Sequence, residues 1–219
     1  MLGRKLLAEF IGTALLLATV VGSGIMGVML SPGNTGVALL ANAGATAAAL
    51  YVLIVLFGPI SGAHFNPVVT LAMWLRRELP TREALAYVLV QLVAAIAGVL
   101  LAHAMFDLPL LQPGTHVRSG AAQWLSEGVA AFGLLLAILL GLRHRPAAVP
   151  ALVASYIFAA YWFTASTSFA NPAVTLARSL TRTFAGIRPI DVCGFVLAQM
   201  AGAFAAVLVV ARLDGGGGD

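Results

Sequence analysis

Charge is scarce in this sequence. Asp, Glu, Lys and Arg together make up 9% of its 219 residues, where a soluble domain carries about 25%. With 61% hydrophobic residues and a mean hydropathy of +0.99, the chain has too little polar surface to coat a core. It reads as a polytopic membrane protein forming one integral unit. Cysteine is scarcer still: Cys193 stands alone in an apolar run, which excludes an internal disulfide and a thiolate metal site. The apolar runs hold too few His, Asp or Glu for a metal cage or a nucleophile–base pair. No cofactor is therefore expected, and an intramembrane enzyme is the weakest reading. A net charge of +4 would suggest nucleic acid in a soluble protein. Here the basic residues lie between apolar segments with no interleaved aromatics, so they report membrane topology instead.

Spanning requires about 20 apolar residues. Six runs qualify: Leu6–Leu30, Gly36–Phe57, Arg82–Met105, Ala121–Leu142, Ala148–Phe163 and Ile190–Arg212. Arg4 and Lys5 ahead of the first run mimic a signal peptide, but the length of the run and the presence of Glu9 inside it favour a spanning helix. Gly58-Pro59 is expected to break the second run. The Gly- and Ser-rich stretch from Ile60 to Phe65 then leads into a short helix, Pro67–Leu75. A second short helix is expected at Pro172–Leu180. Asp107–Ser119 is a polar linker, and residues 213–219 form a flexible tail with no assigned role.

The chain repeats itself. PISGAHFNPVVT (Pro59–Thr70) and FTASTSFANPAVT (Phe163–Thr175) both run from small polar residues into Asn-Pro and then an apolar segment. Glu9 matches Glu127, and Gln91 matches Gln199. The repeats cover about 1–108 and 118–212. Each holds three spans, an odd number, so the halves insert with opposite orientation, as in inverted-repeat transport proteins. With the termini cytoplasmic, Arg4, Lys5, Arg76, Arg77, Arg82, Arg143, Arg145 and Arg212 face inside, against Arg118, Arg178, Arg182 and Arg188 outside. Eight against four favours both termini inside.

Proline suits the first helical position, and asparagine is a strong N-cap. Asn66 and Asn171 therefore cap short helices starting at Pro67 and Pro172. Their N-termini lie at membrane depth, where irregular backbone is tolerated only in a protein interior or a wet cavity. Two such segments meeting near the midplane make a passage with one wall of carbonyls and two Asn amides at its centre. Neutral solutes cross it, while cations meet two positive dipole ends.

These residues bring the chain to a known family. Over nearly its whole length it resembles the aquaporin (major intrinsic protein) family, through SGAHFNP and through Asn171-Pro172-Ala173. The first motif has Val68 where that family usually has alanine, a change expected to alter packing behind Asn66. The resemblance implies an all-α, right-handed bundle of six spanning and two re-entrant half-helices, and a homotetramer with one pore per subunit. It implies passive flux, with the carbonyls of Gly62, Ala63, His64, Thr167, Ser168 and Phe169 as the acceptor ladder. Most members carry arginine directly after the second motif, and this chain has Val174. The other outer-constriction positions, transferred by spacing, are Thr46, Ala159 and Ser168. All four are small and uncharged, so a filter wide enough for solutes larger than water is expected.

YWFTASTSFANPAVT resembles a bacterial subgroup associated with arsenic resistance. That implies arsenite, and methylated arsenicals, in a bacterial inner membrane. A glycerol and water facilitator is the alternative. A proton-coupled transporter shares the repeat design but needs titratable groups at the midplane, where asparagines stand. Arg178 follows Val174 by four residues, on the same helical face. It is read as an outer-mouth charge or, more blandly, as an interfacial arginine snorkelling outward. Glu9 and Glu127 are read as acceptors for loop N–H groups, assisted by Gln91 and Gln199, and His64 as a residue orienting its loop. His103, His116 and His144 show no paired partner. Gly22, Gly24, Gly27, Ala94, Ala95, Gly98, Ala201 and Gly202 suit close helix packing.

Overall fold

The computed structural model describes residues 2–215. The chain is all helical: α1 (Leu2–Leu30), α2 (Thr35–Ser61), α3 (Pro67–Leu75), α4 (Thr81–Met105), α5 (Ala121–His144), α6 (Val149–Phe163), α7 (Pro172–Arg178) and α8 (Val192–Gly215). Among the described residues, six helices are long and apolar enough to cross a membrane. The helices α3 and α7 are the two short ones. The protein is a multi-pass membrane protein.

The spanning helices are patterned inside out. On α4, Leu85, Leu89 and Val93 are all more than half exposed. Its buried face carries Gln91, Ala94, Ala95, Gly98 and Ala102. Lipid is as apolar as leucine, so large apolar side chains gain nothing by turning inward. Small residues let backbones approach instead. At Gly98 a Cβ would run into the carbonyl oxygen of Ala14 on α1, and at Gly202 into that of Gly128 on α5. These close approaches unite α1 with α4 and α5 with α8, and α2 against α6 joins the two halves. Ala201 does not take part: it is exposed on α8.

Several boundaries differ from the sequence reading. Pro59 does not end α2, which continues to Ser61. The turn after the proline closes through Gly62 N to Gly58 O at 3.0 Å, and the Ser61 hydroxyl is anchored on Glu9 at 2.7 Å. Gly62, at φ 87°, then stops the helix in the left-handed conformation that glycine adopts most cheaply. The first helix starts at Leu2, so Arg4 and Lys5 belong to it, and Lys5 pairs with Glu83 at 2.8 Å. The second short helix ends at Arg178, before Leu180, because Ser179 turns its hydroxyl back to the Leu176 carbonyl at 2.6 Å. Of the expected tail, residues 213–215 continue α8, since extending an existing helix costs little per residue. Residues 216–219 lie outside the described residues.

Candidate functional site

Each short helix is preceded by an irregular segment with the same backbone signature. Gly62, Ala63 and Phe65 have φ of 87°, 50° and 50°, and Thr167, Ser168 and Ala170 have 61°, 50° and 48°. They stand four, three and one residues before Asn66 and Asn171 respectively. Only glycine adopts this region freely, and non-glycine residues there are strained by roughly 1–3 kcal/mol each. Five strained residues in two matched places persist only because their surroundings hold them.

Glu9 and Glu127 do much of that holding. Both carboxylates are fully buried. Glu9 accepts from His64 N (2.9 Å), Phe65 N (2.7 Å), the Ser61 hydroxyl (2.7 Å) and Gln91 Nε2 (2.9 Å). Glu127 accepts from Phe169 N and Ala170 N, both at 2.9 Å, and from Gln199 Nε2 at 2.5 Å. Gln91 and Gln199 donate in turn to Thr70 and Thr175 in the half-helices, at 3.0 and 2.8 Å. These two threonines, one in each Val-Thr-Leu-Ala stretch, were not singled out from sequence, although their matched placement was visible. His64 bonds Thr70 Oγ1 through Nδ1 at 3.0 Å and packs edge-on against Tyr87.

The two asparagines link the halves. Asn66 Oδ1 caps α3 at Val68 N (3.0 Å), and Asn171 Oδ1 caps α7 at Ala173 N (2.9 Å) and Val174 N (3.2 Å). Their amide nitrogens then cross over. Asn66 Nδ2 donates to Ala170 O and Asn171 Nδ2 to Phe65 O, each at 2.8 Å. A carboxamide has two N–H donors, so each asparagine keeps one beyond this exchange. Pro67 and Pro172 occupy the first helical positions, and Val68 and Ala173 are fully buried behind the caps.

A cavity of about 100 Å³ reaches both asparagines. Its wall includes Gly62, Ala63 and His64 of the first irregular segment, with an apolar lining from Ile138, Val149 and Val153. It also includes Ser168 and Phe169 of the second segment, with Thr46, Tyr161 and Val174. Thr167 is absent from this wall, and its hydroxyl faces Arg118 at 3.5 Å.

The expected fourth constriction residue is corrected. Ala159 is exposed on the outer face of α6 and does not line the cavity. The helical period turns Ile157 and Tyr161 inward instead, and the Tyr161 hydroxyl lies 3.3 Å from Thr46 Oγ1. A transfer by spacing alone assumes a link of fixed length between α6 and Asn171, and a shift of two residues is enough to point a side chain into lipid.

Arg178 is neither interfacial nor snorkelling. It is 2% exposed and lines the same cavity. Its Nε donates to the Ala185 carbonyl, and its guanidinium lies 3.4 Å above the Phe169 ring centroid. Arg118, not singled out from sequence, stacks on the same ring at 4.9 Å. It donates to Gly186 O at 3.0 Å and to Ser166 O at 2.9 Å, clasping the second irregular segment to the loop after α7. An arginine in a polar linker gives no sequence signal for this. His103 also has partners: it is buried, with Nδ1 2.7 Å from Leu110 O and Nε2 2.7 Å from Thr181 Oγ1. His116 is exposed on the linker. Partial burial, then Arg118 and Arg178 nearby, hold its pKa below the ordinary histidine range.

Comparisons with known proteins bear on this geometry. Residues 1–145 match the family described as Major intrinsic protein. Aquaglyceroporin AqpS of Rhizobium meliloti (strain 1021) is 57% identical over 209 residues, 95% of this chain and 89% of the relative. Aquaporin AqpM of Methanothermobacter marburgensis is 35% identical over 115 residues, 44% of this chain and 45% of the relative. The X-ray structure of the aquaglyceroporin from Plasmodium falciparum superposes with a TM-score of 0.74, covering 95% of each chain at 16% identity, a likeness of fold. Two asparagine-capped half-helices joined through their amides, beside a cavity within six spans, are the architecture that this match describes: the chain belongs to the major intrinsic protein family.

Proposed function

We propose that the protein is a passive channel for small uncharged solutes, with trivalent arsenite first among them and methylated arsenicals, glycerol and water also able to pass. The observation that carries the reading is the cavity beside the paired asparagines, with Val174 in its wall at the position directly after Asn-Pro-Ala. A valine there leaves more width than a long charged side chain would. The Thr46 and Tyr161 hydroxyls and the spare asparagine N–H groups offer the hydrogen bonds that a polyol-like solute exchanges for those of water. Arsenite is a neutral trihydroxy species at neutral pH with that hydrogen-bonding character. The 57% identity to a relative named an aquaglyceroporin supports the broader reading. The choice of arsenite within it rests on the resemblance of YWFTASTSFANPAVT to the arsenic-resistance subgroup, and a general glycerol and water facilitator is the second reading. Thr46, Ser168 and Val174, with Tyr161 in place of Ala159, are proposed as the outer constriction. The carbonyls of Gly62, Ala63, His64, Ser168 and Phe169 are proposed as its acceptor ladder. The inverted repeats, a homotetramer in a bacterial inner membrane and cytoplasmic termini belong to the same proposal.

Stopped-flow light scattering on proteoliposomes tests it, with water, glycerol and arsenite run in parallel. Val174→Arg should lower glycerol and arsenite permeability about tenfold and water permeability by less than about threefold, because the added bulk and charge obstruct the larger solutes most. If all three permeabilities stay unchanged, the constriction lies elsewhere.

A further inference from the structure

Arg178 combines features that a merely structural arginine does not. It is 2% exposed, yet among the described residues no carboxylate pairs with it. Its Nε is used by Ala185 O, but no group among the described residues accepts from its two terminal nitrogens. A buried guanidinium ordinarily has its five N–H donors satisfied. In the same cavity wall, the Ser168 hydroxyl is buried and, among the described residues, also lacks a partner. Two residues of one cavity wall therefore carry polar groups short of partners, which a passing solute's oxygens would complete.

Arg118 offers an internal contrast. It shares the Phe169 ring, but it donates to Gly186 O, Ser166 O and Thr167 Oγ1. Its work is to clasp backbone. Arg178 is held at one nitrogen and one face, which fixes the guanidinium plane while leaving its outer edge unused. The Ala185 carbonyl that holds it belongs to a loop secured on both sides, by Ile187 N to Arg178 O at 3.3 Å and by Arg118 to Gly186 O at 3.0 Å.

We propose that Arg178 is the selectivity-determining donor of the outer constriction, acting with the Ser168 hydroxyl on the hydroxyl groups of the permeating solute and repelling cations. The inference rests on the channel reading above and deepens it. The position after Asn-Pro-Ala holds no charge, and the guanidinium arrives from one turn further along the same face of α7. Four residues of helix are about 6 Å. The charge thus starts from a backbone position that far along α7 and is carried back by its side chain to Phe169, two residues before Asn171.

Proteoliposomes holding the full chain test this, with water, glycerol and methylammonium as probes and gel filtration in detergent as the check on assembly. Wild type should pass water and glycerol and exclude methylammonium. Arg178→Leu should admit methylammonium at least about tenfold faster and change the glycerol-to-water permeability ratio at least about threefold, since charge and donors are lost together. Arg178→Lys should keep methylammonium out, because the charge remains, while still changing the ratio, because the planar fork is gone. If Arg178→Leu does not assemble, Arg178→Lys decides: an unchanged ratio overturns the proposal. So does an assembled Arg178→Leu in which all permeabilities fall by one common factor, the mark of a purely structural residue. A wild-type protein that passes neither water nor glycerol removes the channel reading itself, a result distinct from either.

Discussion

Glu127 sets the standard for how residues in this protein bear strain. Its carboxylate takes three donors, two of them the backbone N–H groups of Phe169 and Ala170. The latter closes a segment with three residues at positive φ. Replacing it with glutamine keeps the shape but leaves one acceptor oxygen and turns an N–H₂ group toward another donor. A lost charge-assisted bond of this kind is worth roughly 1.5–3 kcal/mol. Glu127→Gln should therefore lower the thermal unfolding temperature in detergent measurably below wild type. A transition at the wild-type temperature would show that the segment is held by other contacts, Arg118 foremost. The same reasoning applies to substitution at Asn66 and Asn171. Each amide both caps a helix and crosses to the opposite segment, so an aspartate would keep the cap and lose the cross-link.

Among elements, the spanning helices are held by close approach rather than by apolar bulk. Gly98 sits where α4 meets the backbone of α1, and any Cβ there collides with the Ala14 carbonyl. Backbone cannot move aside as a flexible side chain can. Gly98→Val should cost about 1–3 kcal/mol or more through overpacking. Gly3→Val, at a position with open space, should cost far less. Comparing the two by yield of assembled protein and by thermal unfolding checks the claim, and equal behaviour would refute the close-packing account. The short helices depend on the same scaffold. With seven to nine residues they are below the length at which isolated helices persist, and they exist because proline and asparagine start them and packing against α4 and α8 retains them.

At the scale of the whole molecule, the two segments meet at a pair of neutral asparagines, and the carboxylates nearest them, Glu9 and Glu127, are occupied by backbone N–H groups. His116 lies on the linker between α4 and α5, and its lowered pKa disfavours its charged form at neutral pH. A histidine whose pKa is depressed charges only as the pH falls below its ordinary range, so at neutral pH the positive charge beside Phe169 is that of Arg178 and Arg118. Solute flux should be linear in the solute gradient and flat between about pH 6.5 and 8. Saturating, proton-dependent flux would instead fit the coupled transporter that shares this repeat design.

The sequence by itself determined the number of spans, the two Asn-Pro half-helices and the candidate support residues. The reason is that hydropathy, caps and proline act locally and leave a local signature. It also made the absence of arginine at position 174 legible. What it could not settle were contacts between elements. Ala159 and Tyr161 differ by two residues, and only the rotation of α6 against α2 decided which of them meets Thr46. Arg178 looked interfacial because its loop partners, the Ala185 carbonyl and the Phe169 ring, come from segments that tertiary folding brings to it. Arg118 and His103 carried no signal at all until the linker and the loop after α7 closed over them. Local chemistry wrote the pore's frame into the chain, and the long-range packing of loops decided where its charge stands.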